Sequence, residues 1–135
     1  MKRFLISGLF ILFSFTPAYA WNLLQPSGGR TTSLGNCSVA LNDFWSCHNN
    51  PAGFASIKDI NIGFAYQNKF MLKELGYKNA GLLLPLNTGV IAVSFSQFGY
   101  SLYNENIIGL GFARNFGDKL RIGIKLDYLF FNFSD

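Results

Sequence analysis

The chain has 135 residues, of which 11 are Lys or Arg, 7 are Asp or Glu and half are hydrophobic, and its net charge is +4. A basic excess this small, without a clustered run of Lys or Arg, argues against nucleic acid as a partner. The chain has one His, no recognisable pair of nucleophile and base, no paired carboxylates and no phosphate-binding loop. We therefore expect a protein that is not an enzyme and that uses no cofactor.

Residues 1–20 predict a cleavable secretory signal peptide. Lys2 and Arg3 precede an apolar run from Phe4 to Phe15, and a small-residue signature ends at Ala20. The apolar run is too short to span a bilayer as a helix, so cleavage after Ala20 is a better interpretation than a membrane anchor. The rest of the chain is therefore expected to be exported.

Residues 21–57 are rich in Gly, Ser, Asn and Thr, and we predict an irregular, compact segment with at most a helical turn or two at Ser38–Trp45. Cys37 and Cys47 are the only cysteines. An exported compartment permits a disulfide between them, and two unpaired small residues are the alternative. These cysteines and His48 lack the paired spacing that is typical of metal sites, so we predict no bound metal.

Residues 58–135 show the pattern of β-strands, in which successive side chains point to opposite faces. The clearest strand is Leu120–Phe130, where apolar side chains alternate with Arg121, Gly123, Lys125 and Asp127. The other four strands are predicted near residues 60–67, 75–86, 90–97 and 108–113. Strands of roughly ten residues, joined antiparallel by short turns, suit a tilted bilayer span better than the five or six residues of an average strand.

The predicted connections are short at one end of the sheet, at residues 87–89 and 115–119, and long at the other end, at residues 67–74 and 98–106. Outer-membrane barrels show this asymmetry. Aromatic residues collect at the long-loop end, where they fit an interfacial girdle, although an aromatic-rich soluble core is the alternative. The predicted girdle consists of Tyr66, Phe70, Tyr77, Phe98, Tyr100, Tyr103, Tyr128 and Phe130.

The polar faces of the strands favour an antiparallel transmembrane β-barrel over a soluble sheet. They carry small residues and a few charges, with Arg121, Lys125 and Asp127 as candidates for lumen-facing side chains. Small residues leave room for a plug or a ligand in a lumen, or for residues 21–57 on a soluble sheet. Because a bacterial barrel needs at least eight strands, we expect these five to begin a longer barrel, with a barrel shared between chains as the second explanation.

Two motifs carry a resemblance to a known family. Gly35–Leu41 has the sequence GNCSVAL, and Trp45–Ala55 has the sequence WSCHNNPAGFA. They resemble the start of PorV/PorQ family proteins, relatives of the FadL-type outer-membrane barrels, whose pattern is G-x-A-S-V-A-L followed by W-S-x-x-x-N-P-A-G-L-A. Residues 68–75 and 96–105 resemble the family as well. Cys37 and Cys47 depart from the pattern, since the family usually has Ala or another small residue there.

The resemblance covers about residues 28–128, which correspond to the N-terminal part of a typical family member. It implies a barrel of about fourteen strands, of which this chain holds an N-terminal plug and about five strands, unclosed. On this interpretation Asn50, Pro51, Ala52 and Gly53 form a plug turn in or beneath the lumen. Asn50 would hydrogen-bond its own backbone there, and Gly53 would supply backbone freedom.

The resemblance also implies a location in the cell outer membrane, with outer-membrane lipid and either secretion-machinery proteins or exported cargo as partners. The implied function is a non-enzymatic role in type IX protein secretion. FadL-like uptake of hydrophobic small molecules is one alternative. A secreted soluble β domain that binds a lipid or a protein partner is the other.

Overall fold

The computed structural model describes residues 25–117 and 119–133, so the predicted signal peptide lies outside the described residues. Five antiparallel strands form one sheet in the order β1-β2-β3-β4-β5, and β1 and β5 each have a single neighbouring strand within this described sheet. The strands are β1 (Asn61–Asn68), β2 (Gly76–Leu86), β3 (Gly89–Gly99), β4 (Tyr103–Phe116) and β5 (Leu120–Phe133). The predicted all-β, antiparallel and unclosed arrangement is confirmed.

The described part of the segment before the sheet, from residue 25 onward, contains three short helices. They are α1 (Gly29–Ser33), α2 (Ser46–Asn49) and a 3-10 helix (Pro51–Ser56). The prediction that helical turns in this segment are confined to 38–45 was wrong, because the helices lie on both sides of that stretch. The Asp43 carboxylate accepts the Trp45 backbone N–H at 3.0 Å just before α2 begins. A further 3-10 helix, Lys73–Leu75, lies in the connection from β1 to β2.

The connection from β3 to β4 is shorter than the sequence predicts. It contains residues 100–102, because the ladder between the two strands continues through the pairs Phe98↔Glu105 and Gly99↔Asn104. The Tyr100 N–H then donates to the Tyr103 carbonyl at 2.8 Å and closes the turn. The prediction of two long loops at this end of the sheet was therefore wrong, and the asymmetry depends on residues 69–75 alone.

The two faces of the sheet have the opposite polarity to those of an ordinary soluble sheet. We call the face covered by residues 25–57 the inner face, and many of its side chains are small or polar: Ala92, Ser94 and Asn79 are 1%, 3% and 4% exposed. The opposite, outer face carries apolar side chains that nothing in the described chain covers. Phe64 and Leu126 on this face are 76% and 78% exposed.

The hydrophobic core lies between the inner face and the N-terminal segment. Phe54 and Cys47 of the segment are fully buried, and they meet Leu83 and Val90 of the sheet. The complete cluster is Cys47, Phe54, Ala55, Leu83, Val90, Ala92 and Ala113, with Phe44 and Ile57 packed against it. This core is small for a sheet of five strands, because most of the large apolar side chains of the sheet lie on the other face.

Candidate functional site

The strand register aligns the apolar side chains of the outer face into rows. The central row consists of Ile62, Leu82, Val93, Leu110 and Leu126. The rows on its two sides consist of Leu84, Ile91, Phe112 and Ile124, and of Phe64, Ala80, Phe95, Ile108 and Tyr128. Together these rows form a continuous apolar band across all five strands.

On β5 the outward apolar side chains extend beyond these three rows. Leu120 and Tyr128 lie eight residue steps apart on this strand, which is about 27 Å at about 3.4 Å per residue. A strand tilt of about 40° reduces this to about 20 Å along the membrane normal, against an outward apolar band of about 25 Å in outer-membrane barrels. Soluble monomers rarely expose an apolar patch larger than a few hundred Å². The outer face is therefore suited to an apolar surrounding.

The predicted aromatic girdle divides between the two faces. Tyr66, Tyr128 and Phe130 lie on the outer face, where the Tyr128 and Phe130 rings are 5.9 Å apart. Phe70 and Tyr100 lie in the connections between strands and are exposed. These five residues occupy the same end of the sheet, as the sequence predicts.

Tyr77, Phe98 and Tyr103 are corrections to the predicted girdle, because the register places them on the inner face. Tyr77 is 4% exposed, its hydroxyl donates to the Gln25 carbonyl at 3.4 Å, and its ring lies 6.4 Å from that of its cross-strand partner Phe98. The Tyr103 hydroxyl donates to the Glu105 carboxylate. An outward position for these three side chains would need a shift of one residue in the register of the strands.

Glycines on the inner face allow the N-terminal segment to lie directly on the sheet. A Cβ on Gly123 would lie 2.6 Å from the Pro51 carbonyl oxygen, and a Cβ on Gly111 would lie 3.0 Å from Cζ of Phe54. Gly63 and Gly81 receive the Phe44 ring in the same way. The predicted packing of residues before Lys58 against a face of small side chains is thus observed. The sequence does not single out Phe44 and Phe54 as the inserted side chains, and the alternate glycines of the strands are the signal that such insertions leave.

The plug turn has the predicted hydrogen bond. The Asn50 side-chain oxygen accepts the Ala52 N–H at 3.2 Å, and its amide nitrogen donates to the Val39 carbonyl at 2.6 Å. Pro51 begins the 3-10 helix. Gly53 has another role than predicted: a Cβ there would lie 2.7 Å from the Ser46 Cβ, so this glycine is required for close packing and not for a positive φ.

Two of the three predicted lumen-facing side chains form an ion pair on the inner face. The Lys125 Nζ lies 2.9 Å from the Asp127 carboxylate, and the Lys125 side chain is 8% exposed. Gly109, which faces them across the strand pair, leaves the space that both side chains occupy. Arg121 belongs to the same face by alternation, but it is exposed beside Asn115 near the end of the strand.

A cavity of about 250 Å³ lies between the N-terminal segment and the inner face. Apolar atoms contribute most of its lining surface, but many of its lining residues carry polar groups, namely Ser38, His48, Tyr77, Ser94, Ser96 and Lys125. The Ser96 hydroxyl donates to the Asn79 side chain at 2.7 Å, which leaves the Ser96 oxygen able to accept. This cavity can hold water or a small polar group, as buried polar cavities of this size do.

Cys47 and His48 form a buried hydrogen-bonded pair beside this cavity. The Cys47 Sγ lies 3.1 Å from the His48 Nδ1. Burial raises the pKa of the Cys47 thiol to about 12, whereas burial and the nearby Lys125 charge lower the pKa of His48 to about 4. At neutral pH the thiol therefore donates to Nδ1, and the His48 Nε2–H faces the Phe95 carbonyl at 3.4 Å.

The cysteines of the structure are unpaired, since Cys37 is exposed and Cys47 is buried. The disulfide that the sequence permits is therefore not formed. In the described ranges 25–117 and 119–133, no group of three or more His, Cys, Asp or Glu side chains is placed to hold a metal ion.

The pKa of His48 predicts a pH-dependent stability. Its folded pKa, about 4, lies below the ordinary value of 6.5, so the unfolded chain binds the extra proton first as the pH falls. The contribution of the neutral His48 to the free energy of unfolding is fully present above about pH 6.5, and it decreases as the pH falls from 6.5 towards 4. Denaturant unfolding at pH 7.5 and pH 5 should show this loss, and His48→Gln should have a smaller difference between the two values. Equal pH dependence in both proteins would contradict the assignment.

Gly123→Val is expected to lower the free energy of unfolding by about 1–3 kcal/mol, the usual cost of overpacking. The added side chain meets the backbone of Pro51 and Ala52, which cannot rotate away. Limited proteolysis should then cut the N-terminal segment faster. Gly29→Ala is the matched control, since a Cβ there meets nothing within 4 Å. Equal cleavage rates in the two variants would show that the segment does not lie on Gly123.

The described chain is thus an antiparallel β-meander with an exposed apolar face and an inner face covered by its own N-terminal segment. None of its described helices is long and apolar enough to cross a membrane. Comparison with protein-family models, with curated proteins and with solved structures gives no match. The functional argument therefore depends on the residues and the geometry of the chain itself.

Proposed function

We propose that this protein is a non-enzymatic outer-membrane β-barrel component of the PorV/PorQ type, associated with type IX protein secretion. The observation that carries the membrane part of the proposal is the inverted polarity of the sheet. Its apolar face is bare over five strands, while its polar and glycine-rich face is covered. A transmembrane barrel has this distribution, with apolar side chains towards lipid and polar side chains towards the lumen.

The charged residues of the strands fit the same orientation. The ion pair of Lys125 and Asp127 lies on the face that would line the lumen, and the apolar rows between the two ends of the outer face contain no charge in the described strands. In a soluble sheet with the usual polarity, these charges would instead lie on the exposed face. Closure needs strands in addition to β1–β5, from this chain or from another, because lipid does not tolerate an open sheet edge.

The N-terminal segment would be the plug of this barrel. Its 3-10 helix, Pro51–Ser56, packs on β3, β4 and β5, and its Phe54 enters the space above Gly111. The segment contacts the inner face from β1, where Phe44 lies against Gly63, to β5, where Pro51 lies against Gly123. The link to secretion comes from the sequence resemblance, and the plug geometry is compatible with it.

Uptake of hydrophobic small molecules is the second candidate function. The cavity of about 250 Å³ beside the plug favours it, since an uptake barrel needs space along its lumen. Its volume lies below the roughly 300–1,000 Å³ of typical small-molecule pockets, however, and its lining includes the Lys125 cation, which disfavours an apolar solute. We therefore place secretion first.

Membrane fractionation tests the proposal. We expect the protein in the outer-membrane fraction after an alkaline carbonate wash, and released only by detergent. If the protein is found in the soluble periplasmic fraction without detergent, the membrane assignment fails and a secreted β domain that binds a partner through its apolar face replaces it.

A deletion strain separates the two membrane functions. Loss of exported cargo from the culture medium, with normal accumulation of a labelled fatty acid, would support secretion. Normal cargo export with reduced fatty-acid accumulation would support uptake instead. Re-expression of the protein should restore whichever activity is lost.

A further inference from the structure

The outer face carries charge at its two ends only. In the described strands, its charged side chains are Lys78 on β2 and Arg114 on β4. Lys78 belongs to the row of Tyr66, Gln97, Asn106 and Phe130, and Arg114 pairs with Ile122 at the opposite end. The three uncharged rows of the apolar band lie between these two cations, and Phe116 and Leu120 lie beyond Arg114.

The separation of the two cations fits the thickness of a bilayer. Their rows cross β5 at Phe130 and Ile122, eight residue steps or about 27 Å apart along the strand. A tilt of about 40° makes this about 20 Å along the membrane normal, and the offset of two strands between the cations changes that value by about 6 Å, in a direction set by the sense of the tilt. Long Lys and Arg side chains extend outward from their backbone positions, which adds several Å at each end. The charged groups can thus reach both surfaces of a hydrocarbon core of about 25–30 Å.

The surroundings of the two cations leave their charge available. The Lys78 Nζ donates to the Gln97 side chain at 3.2 Å, and the Arg114 guanidinium lies 5.3 Å above the centre of the Phe116 ring. Neither group belongs to the ion pairs of the described residues, which are Arg30 with Asp43 and Lys125 with Asp127. A neutral amide and an aromatic ring orient these cations without neutralising them.

We infer that Lys78 and Arg114 bind the phosphate groups of lipid headgroups in opposite leaflets and so fix the depth of the sheet in the membrane. The inference rests on the proposed function, because it requires the outer face to meet lipid. Phosphate is the complementary ligand, since a cation at the end of an apolar band meets the anionic headgroup layer there. The role is that of an anchor at each rim.

The test uses the protein reconstituted in vesicles that contain phosphatidylglycerol. Single tryptophans, Tyr66→Trp beside Lys78 and Phe116→Trp beside Arg114, report the depth of each rim. Lipids brominated at shallow or deep acyl positions quench a tryptophan at the matching depth, after subtraction of the signal from the unsubstituted protein. Arg114→Met should shift the quenching of the Phe116→Trp reporter towards deep bromines, and Lys78→Met should do the same for Tyr66→Trp.

Arg121→Met is the matched control for Arg114→Met. Arg121 lies at nearly the same height on the neighbouring strand, but on the inner face, so its loss should leave the reporter depth unchanged. At low salt, each outer-face substitution should also reduce partition into anionic vesicles about fivefold, which corresponds to about 1 kcal/mol per cation. This reduction should disappear in vesicles without anionic lipid.

One result would overturn the anchor inference alone, and a different result would overturn the proposed function. If Arg114→Met and Lys78→Met leave the reporter depths unchanged, as Arg121→Met is expected to do, the anchor inference is overturned while the membrane assignment stands. If neither reporter is quenched by brominated lipid in the otherwise unsubstituted protein, the outer face does not meet lipid and the proposed function itself is overturned.

Discussion

Phe54→Ala is expected to lower the free energy of unfolding by about 3–5 kcal/mol, the usual range for a buried Phe. Phe54 is fully buried, and its ring fills the space above Gly111 between the 3-10 helix and β4. Its removal leaves a cavity that neighbours cannot fill, because the backbone of Pro51 already lies against Gly123. Denaturant unfolding in detergent micelles measures the loss.

Phe70→Ala is the matched control for this prediction. Phe70 is 83% exposed in the connection from β1 to β2, so its truncation should change the stability by less than about 0.5 kcal/mol. Proteolysis should at the same time cut residues 25–57 faster in Phe54→Ala than in Phe70→Ala. A loss below about 1 kcal/mol for Phe54→Ala would show that the N-terminal segment does not pack on the inner face as described.

Leu126→Arg is expected to cost about 2–4 kcal/mol in a membrane, the cost of Arg on the lipid face at the bilayer midplane. Leu126 belongs to the central row of the apolar band and is 78% exposed. In water, the same substitution at so exposed a position would change the stability by less than about 0.5 kcal/mol. The environment of the outer face therefore determines the free-energy cost of Leu126→Arg. Equilibrium folding into lipid vesicles measures that cost.

Gln97→Arg controls for the addition of a cation to the outer face. Gln97 lies in the rim row with Lys78, where the cost of Arg falls to about 0–1 kcal/mol. A large loss for Leu126→Arg with a small loss for Gln97→Arg is the expected result. Small losses in both variants would indicate that the outer face is surrounded by water.

The parts of the fold that the sequence predicted are those with strict alternation. β5 was readable because apolar side chains alternate with Arg121, Lys125 and Asp127, and these two sets do lie on opposite faces of the strand. The faces of β2 were harder to predict, since Leu82, Leu83 and Leu84 are consecutive and do not alternate with polar residues. Leu83 packs in the core while its two neighbours face outward, so the pattern could not show on which face Tyr77 lies.

The parts that the sequence did not predict depend on contacts between distant segments. The ladder between β3 and β4 continues through the pair Phe98↔Glu105, whose residues are not typical of a strand core, so a long loop was expected there. The neutral His48 results from its burial between the N-terminal segment and β3, where it faces the Phe95 carbonyl, and adjacent residues do not reveal this contact. The small residues of the inner face could be recognised in the sequence, but the side chains that pack in the space above them could not.

A spin-label scan along β5 tests the central claim, that the outer face meets lipid, most directly. Single cysteines at residues 120–130 carry the label in protein with Cys37→Ala, since the buried Cys47, with a thiol pKa of about 12, stays unlabelled. In vesicles we predict that accessibility to oxygen, which dissolves in lipid, peaks at 122, 124, 126 and 128 and falls at the positions between. Greater accessibility of those four positions to a water-soluble nickel complex would contradict the claim.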